Sequence, residues 1–349
     1  MHLRKLIVAR AISFFQKKLY NLRMKNLVEI KNLKMKYAVK SGFSANKNEF
    51  INAVNDVDLK IKEGEILGVV GESGCGKSTL GKCILRLEEG YSGQIIFDGE
   101  DIAEEKNLKN FRKSAQMIFQ NPYASLNPKM KIYDILKEPL VIHGEKNSKI
   151  IRQKIEEVCE LTGIDKSALN YYPHEFSGGQ RQRISIASAI ILKPKFIVAD
   201  EPVSALDVSI RAQIINLLKD LKEKLKLTIL FISHDLSVVR HICDRTAVMY
   251  LGEIVEIADN EDLFNEPKHP YTKALLNSVP VISREKKDSR IILAGDVPSP
   301  KNLPSGCKFH TRCPEVMPIC AESCPTLDCI GKNHLVKCHL YIGCENSQK

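Results

Sequence analysis

The sequence predicts an α/β protein with a parallel β-sheet and a phosphate-binding loop at the end of one strand. Residues 65–70 form a buried-strand pattern that runs into a glycine-rich loop and then a helical pattern. Residues 196–199, after Lys195, form a second apolar run, which ends at Asp200 and Glu201. Strands of parallel sheets are buried on both faces, and such sheets bind ligands at the carboxyl ends of their strands.

Composition limits the classes of function. The 349 residues are 44% hydrophobic, which is enough for one large or two modest packed domains. The net charge of +10 comes with 27% charged residues of both signs, an ordinary surface, so we expect no direct binding of nucleic acid. No apolar run approaches the roughly 20 residues of a membrane span, since even residues 6–15 contain Arg10. If the protein works at a membrane, other chains must cross it.

Residues 1–27 form a basic N-terminal extension. The first 28 residues contain seven Lys or Arg and no acid. Two interpretations remain open: a helix that docks on a membrane surface or a partner, or a frayed extension that precedes a true start at Met24. The helical interpretation rests on an apolar face made by Val8, Ala11, Phe15, Leu19 and Leu22.

The glycine-rich loop is a complete P-loop in its expected context. Its glycines let backbone N–H groups point at phosphate oxygens, and the following helix contributes the positive end of its dipole. Lys77 is expected to reach the β- and γ-phosphates, and Ser78 to ligate Mg²⁺. We interpret Cys75 as a small packing residue. The nucleotide-binding residues assigned here are Gly71, Ser73, Gly74, Cys75, Gly76, Lys77, Ser78 and Thr79.

The acidic pair at the end of the second strand completes the predicted chemistry. Asp200 is placed to hold Mg²⁺ through water. Glu201, one residue further, can point at the attacking water as its general base or as the group that orients it. An acidic pair alone is weak evidence of function, but together with a P-loop it indicates nucleotide hydrolysis.

The segment from Glu175 to Arg183 resembles the signature motif of ABC ATPases. A serine and two glycines at a helix start make a second anion site, although the P-loop already holds the chain's own nucleotide. The resemblance implies two subunits that sandwich two ATP molecules head to tail, each signature capping the nucleotide on its partner's P-loop. It assigns this contact to Ser177, Gly178, Gly179 and Gln180.

Other family motifs follow in order. By resemblance, Gln120 senses Mg²⁺ and the attacking water, Asp207 organises the dimer seam, His234 contacts the γ-phosphate and Tyr37 stacks on adenine. The same resemblance implies a RecA-like P-loop NTPase core with an antiparallel β subdomain and an inserted α-helical subdomain at about residues 121–194. The nucleotide-binding domain would span residues 28–262.

Several segments are similar to one branch of the family, the F-type ATPases of the oligopeptide and dipeptide permeases: residues 116–128, 172–179, 200–208, 269–280, 295–300 and 306–314. The likeness implies ATP hydrolysis that powers peptide import at the cytoplasmic face of the cell membrane. Implied partners are a second related ATPase, two transmembrane subunits and an extracytoplasmic binding protein, and a homodimer of the isolated chain is compatible with this. Nickel or another small solute is an alternative substrate. A non-transport ABC ATPase acting on ribosomes or DNA is the alternative class, disfavoured because the chain has one P-loop, one signature and no heptad run.

Seven of the eleven cysteines lie in the last 43 residues, within a predicted C-terminal region at residues 263–349. Cys307, Cys313, Cys320 and Cys338 match the spacing of the permease ATPases, and the resemblance favours a 4Fe–4S cluster. Spacing alone does not separate it from structural Zn²⁺, and reduced thiols without metal are a third possibility, because the short Pro-rich tail has little core of its own. Additional cysteines stand at Cys324, Cys329 and Cys344.

Overall fold

A computed structural model describes residues 25–39, 49–104, 108–278 and 295–341. Within these residues the chain forms two β-sheets flanked by helices. The predicted helical face in the N-terminal extension and Cys344 lie outside the described residues. The strands are β1 (Asn26–Val39), β2 (Glu49–Lys62), β3 (Ile66–Val70), β4 (Ser92–Phe97), β5 (Glu100–Asp101), β6 (Ala115–Ile118), β7 (Phe196–Asp200), β8 (Thr228–Ile232), β9 (Arg245–Tyr250), β10 (Glu253–Asp259), β11 (Asp328–Gly331) and β12 (His334–Val336).

The larger sheet has eight strands in the order β11-β12-β10-β9-β3-β8-β7-β6. The five strands from β9 to β6 are parallel, and β10, β12 and β11 extend the sheet with antiparallel pairing. Every residue of β3, β7 and β8 is buried, as expected of strands covered on both faces. The strand predictions at residues 65–70 and 195–200 are therefore confirmed. Strands β3 and β7 end at the same edge of the sheet, with β8 between them.

The smaller sheet is antiparallel, in the order β2-β1-β4-β5. Its two long strands pair Val28 with Ile61 and Ile30 with Leu59, and these four side chains are buried. They belong to a hydrophobic cluster that continues into the first helix after β3. This sheet is the predicted antiparallel subdomain, and it lies beside the glycine-rich loop.

The helices are α1 (Lys77–Ile84), α2 (Leu108–Ser114), α3 (Pro122–Ser125), α4 (Ile132–Ile142), α5 (Ser148–Thr162), α6 (Gly178–Ile190), α7 (Val208–Leu225), α8 (Leu236–Ile242), α9 (Asn260–Asn265), α10 (Pro270–Asn277) and α11 (Pro318–Glu322). Helices α3 to α6 stand between β6 and β7, where the sequence predicts a helical insertion. Local signals bound them: the Asn147 side chain accepts the N–H groups of Lys149 and Ile150 at the start of α5, and Gly163 ends that helix with φ 67°. None of the helices that the structure describes is long and apolar enough to cross a membrane.

The C-terminal region packs on the core of the larger sheet. Its hairpin β11–β12 joins β10, so it supplies two strands of the eight. Tyr271 and Phe309 are buried beside Tyr250 of β9, with the Phe309 ring centroid 5.3 Å from Tyr250 and 5.4 Å from Tyr271. The C-terminal region thus shares the core of the larger sheet.

A buried histidine begins the helix that carries this contact. His269 is the N-cap of α10, and its Nδ1 accepts the N–H of Tyr271 at 3.0 Å. Burial lowers the pKa of His269 to about 4. The ring is therefore neutral near pH 7, as its acceptor role requires. The neighbouring backbone N–H groups of Lys268 and His269 donate to the buried carboxylate of Glu256, at 2.8 and 2.9 Å.

Candidate nucleotide-binding site

The glycine-rich loop lies between the end of β3 and the start of α1, as the sequence predicts. Two of its positions admit only glycine. A Cβ at Gly71 (φ 155°) would lie 2.1 Å from the carbonyl oxygen of Met249, and a Cβ at Gly76 (φ 103°) would lie 1.9 Å from that of Ala53. Nothing lies within 4 Å of a Cβ built at Gly74, so the middle of the loop faces open space. The loop is thus held close to β9 and β2 at both ends and is open where phosphate would bind.

Lys77 and Ser78 open the helix that follows the loop. The Lys77 side chain folds back, and its Nζ donates to the carbonyl oxygens of Gly71 and Glu72, each at 2.9 Å. Ser78 Oγ donates to Asp200 Oδ1 at 2.8 Å. Burial raises the pKa of Asp200, with the Ser78 hydrogen bond opposing the shift. A hydroxyl and a carboxylate, both hard oxygen ligands of the kind Mg²⁺ prefers, therefore meet at the mouth of the loop.

Two predicted site residues, Gln120 and His234, meet at Glu201. Gln120 Nε2 donates to Glu201 Oε2 at 2.8 Å, and His234 Nδ1 lies 3.0 Å from Oε1. Gln120 therefore contacts the predicted base, and among the described residues no hydrogen bond joins its side chain to Ser78 or Asp200. The Glu201 backbone has φ 45°, a left-handed conformation that is uncommon outside glycine and often found at functional sites. Its N–H donates to Ile232 of β8, which fixes the turn after β7.

The other predicted positions are Tyr37, on β1, and further residues of the loop. Tyr37 is half-buried; burial raises its pKa, and the Thr79 side chain opposes that shift. Ser73 is exposed. Cys75 is 5% exposed, and burial raises the pKa of its thiol. A buried, protonated thiol agrees with the packing role expected for Cys75.

The signature residues form a separate surface. Ser177 is the N-cap of α6: its Oγ accepts the Gln180 N–H, and Gln180 Oε1 accepts the Ser177 N–H. A Cβ at Gly179 would lie 2.5 Å from Ile210 Cγ2 in α7, so this glycine allows close helix packing, whereas Gly178 meets only Leu206 at 3.7 Å. Within the described ranges, no hydrogen bond or ion pair joins residues 177–180 to the P-loop.

Asp207 begins the helix that packs on Gly179, and Arg181 directly follows the signature residues. Asp207 is exposed at the N-cap of α7, and its side chain makes no cap hydrogen bond. Arg181, which the sequence did not single out, places its guanidinium 3.9 Å from the ring centroid of Tyr123 and donates to the Pro173 carbonyl at 2.7 Å. It joins the signature helix to the segment after Gln120 through a cation–π contact. Its position directly after the signature was the only sequence signal for this role.

The four cysteines of the candidate cluster all lie within the residues that the structure describes. Burial raises the pKa of Cys307, Cys313 and Cys338 to about 11 each, and neighbouring thiols of the same set add to the shifts. The backbone N–H two residues on, at Phe309, Glu315 and Leu340, opposes the rise in the pKa of each thiol. Among the residues described, no group of three or more His, Cys, Asp or Glu side chains is arranged to hold a metal ion. The thiols are thus neighbours without an assembled metal geometry.

Two protein-family models match the sequence. The ABC transporter family model matches residues 54–204, which contain the P-loop, the signature and the acidic pair. The family of the oligopeptide/dipeptide transporter C-terminal region matches residues 255–320, which contain α10 and the buried Phe309.

Curated relatives that align over most of the chain are peptide-transport ATP-binding proteins, in agreement with both family matches. An oligopeptide transport ATP-binding protein, AppF of Bacillus subtilis, is 51% identical over 320 residues, covering 90% of this chain and 97% of that protein. The oligopeptide transport ATP-binding protein OppF of Haemophilus influenzae is 46% identical over 319 residues, covering 89% and 96%.

Solved structures resemble the fold. The structure of cbiO1 from Clostridium perfringens, part of an ABC transporter complex, aligns with TM-score 0.60 and 26% identity over 69% of this chain and 91% of that one. The ABC cassette MJ0796, a dimer in a post-hydrolysis state with ADP and phosphate, aligns with TM-score 0.59 and 29% identity over 67% and 98%. The chain belongs to the ABC transporter ATP-binding proteins of the oligopeptide/dipeptide transport family.

Proposed function

We propose that this chain is the ATP-hydrolysing subunit that powers import of di- and oligopeptides through an ABC transporter. The observation that carries the ATPase activity is the convergence of Gln120 and His234 on Glu201, next to the Ser78–Asp200 pair. The extensive identity to peptide-transport subunits, which includes the C-terminal region, supports the substrate class.

The site residues divide the chemistry between them. The backbone of residues 71–76 and Lys77 bind the phosphates of ATP, and Ser78 and Asp200 are the residues that would hold Mg²⁺, which neutralises phosphate charge when bound. Glu201 accepts the proton of the attacking water or orients it. Gln120 and His234 hold the two carboxylate oxygens of Glu201, so that its orientation is set before nucleotide arrives. Tyr37 stacks on the adenine, beside the P-loop helix.

The second nucleotide contact comes from another subunit. Residues 177–180 stand apart from the chain's own P-loop, and the related cassette MJ0796 is a dimer with ADP and phosphate. We infer that Ser177 and Gly179 cap the nucleotide on a partner's P-loop, while exposed Asp207 lies at the seam. The partner is a second related ATPase, and a homodimer of the isolated chain uses the same surface.

Coupling to the membrane runs through the segment after β6. Gln120 contacts Glu201, and the neighbouring side chains of Phe119 and Tyr123 are 42% and 64% exposed. Large exposed apolar groups next to a catalytic contact suit a docking surface. We infer that two transmembrane subunits rest there, with the chain on the cytoplasmic face of the membrane and an extracytoplasmic binding protein supplying substrate.

The proposed domain division follows the sequence: an extension at 1–27, the nucleotide-binding domain at 28–262 with its helical part at about 121–194, and the C-terminal region at 263–349. Helix α9 crosses the second boundary. The C-terminal region is a branch-specific addition to the common cassette.

The C-terminal region supplies the second cofactor proposal. We propose that Cys307, Cys313, Cys320 and Cys338 hold a 4Fe–4S cluster, with Zn²⁺ as the alternative. The backbone N–H groups of Phe309, Glu315 and Leu340 support this, because they oppose the rise in the thiol pKa and so favour the thiolates that bind metal. The thiols must lose their protons and close on the metal, since their present arrangement is not that of ligands.

Metal analysis of anaerobically purified protein tests this proposal. We expect about four iron and four sulfide per chain, as a 4Fe–4S cluster contains, and Cys313→Ser is expected to remove most of both and to lower the thermal midpoint. Cys329→Ser, a change of an exposed cysteine outside the set, is the matched control and should retain the metal. Zinc in place of iron would support the alternative. Absence of any metal in unoxidised protein would contradict both.

Uptake of labelled tripeptides by cells tests the transport proposal. Deletion of the gene for this chain is expected to abolish uptake, and the unchanged gene should restore it, whereas a gene carrying Glu201→Gln should not. Labelled nickel serves as the competing substrate. Peptide uptake that survives deletion, together with a defect in ribosome or DNA function, would favour the non-transport class of ABC ATPase.

A further inference from the structure

We propose that Arg312, in the cysteine-rich segment, is a positioning residue for the P-loop, acting through Glu72, the second residue of that loop. The inference rests on the proposed nucleotide-binding function. Arg312 Nη1 donates to both carboxylate oxygens of Glu72, at 3.3 and 3.1 Å, across 240 residues of sequence. The side chain of Arg312 is 8% exposed and that of Glu72 is 28% exposed. The pair is thus better shielded than the surface ion pairs that contribute little to stability.

Glu72 is held by the C-terminal region at two points. Besides the Arg312 contact with its carboxylate, its backbone N–H donates to the Tyr271 hydroxyl at 3.0 Å. Its carbonyl oxygen accepts Lys77 Nζ at 2.9 Å and the Cys75 N–H at 3.3 Å. The C-terminal region therefore fixes the side chain and the N–H of Glu72. Through its carbonyl oxygen, Glu72 in turn contacts Lys77, the lysine expected to reach the phosphates.

Arg312 is itself anchored on the core. Its N–H donates to the carbonyl oxygen of Phe309 at 3.0 Å, and the Phe309 side chain is 1% exposed between Tyr250 and Tyr271. The Tyr250 hydroxyl lies beside the guanidinium, which opposes the rise in the pKa of Tyr250 caused by burial. An arginine packed in this way restrains Glu72, because its own position is fixed by buried contacts.

The expected consequence is a change in nucleotide affinity. The P-loop is rich in glycine, so without an external restraint it samples more conformations, and nucleotide binding must then order it. Among the described residues, no hydrogen bond or ion pair joins Arg312 to Glu201, Gln120 or His234, so we expect the chemical step to be unchanged. Loss of Arg312 should therefore raise the Kd and KM for nucleotide and leave kcat unaltered.

Charge offers a competing explanation, since removal of Arg312 leaves the Glu72 carboxylate unpaired near the phosphates. The two explanations differ at Glu72. If charge alone acts, Glu72→Gln tightens nucleotide binding and restores the affinity that Arg312→Met loses. If positioning acts, Glu72→Gln weakens binding as Arg312→Met does, and the double variant is no weaker than either single variant.

The experiment is an equilibrium titration of the full purified chain with Mg·ADP, together with kcat and KM for ATP. We expect Arg312→Met and Glu72→Gln each to weaken Mg·ADP binding by about threefold to tenfold, within the range of coupled networks. Arg312→Lys, which keeps a donor and the charge, should recover part of the loss. Lys273→Met, which removes the ion pair between Lys273 and Glu315 in the same region, is the matched control and should bind normally.

Unchanged affinity in Arg312→Met, or the pattern expected for charge alone, would overturn the inference while leaving the nucleotide-binding function intact. No Mg·ADP binding by the unmodified chain would overturn both. Thermal midpoints are measured for every variant. If Arg312→Met fails to fold, Glu72→Gln alone decides, because weaker binding supports positioning and tighter or equal binding contradicts it.

Discussion

Replacement of Glu201 by Gln is expected to lower kcat for ATP hydrolysis by about 10²- to 10⁴-fold, the contribution of a positioned general base. The amide is nearly isosteric with the carboxylate, but it cannot take the proton of the attacking water. Gln120 now donates to Glu201 Oε2 at 2.8 Å, and the new side chain can still accept that bond through its carbonyl oxygen. Nucleotide binding should be retained, because Lys77, Ser78 and Asp200 are untouched.

The measurement is phosphate release by the purified chain, in which every active site is formed from this one sequence. Self-association in the presence of Mg·ATP should increase, because the variant binds ATP without converting it to ADP. Glu223→Gln, which removes a 78% exposed carboxylate from α7, is the matched control. Hydrolysis that stays within threefold of the unmodified chain would exclude Glu201 as the base.

Local sequence was sufficient to predict where the residues of the candidate nucleotide site lie in the fold. The P-loop, Asp200 and Glu201 all stand at the ends of continuous apolar strands, and the parallel pairing of β3, β8 and β7 brings those ends to one edge. The hydrogen bonds of Gln120 and His234 to Glu201 agree with motifs that the sequence presents in order. Such residues are predictable because each lies at or close to the end of a strand, where the backbone topology alone determines its position.

The position of the C-terminal region could not be predicted in this way. The pairing of β12 with β10 and the ion pair between Arg312 and Glu72 join residues far apart in the chain, and no local period encodes either. Gly179 is a related case. The sequence indicates an anion site there, whereas the structure adds a packing requirement, since Ile210 leaves no room for a Cβ. Long-range contacts of this kind are set by the assembled core.

Replacement of Phe309 by Ala is expected to reduce the free energy of unfolding by about 3–5 kcal/mol, the usual loss for a buried aromatic ring. Phe309 is 1% exposed and packs on Tyr250, Tyr271 and His269. The neighbours of the Phe309 ring are themselves rigid rings, so the cavity that the substitution leaves should persist. Urea unfolding followed by circular dichroism gives the measurement, with Phe50→Ala, at a ring that is 43% exposed, as the control.

The shape of the unfolding curve is as informative as its midpoint. If the C-terminal region and the nucleotide-binding core unfold together, Phe309→Ala should shift one cooperative transition and leave its slope unchanged. A second transition at low urea, with the main one unmoved, would mean that the tail unfolds alone. A single shifted transition would mean that Phe309, three residues before Arg312, stabilises the sheet that carries the P-loop. The C-terminal region can restrain Glu72 only if it is joined to that sheet in this way.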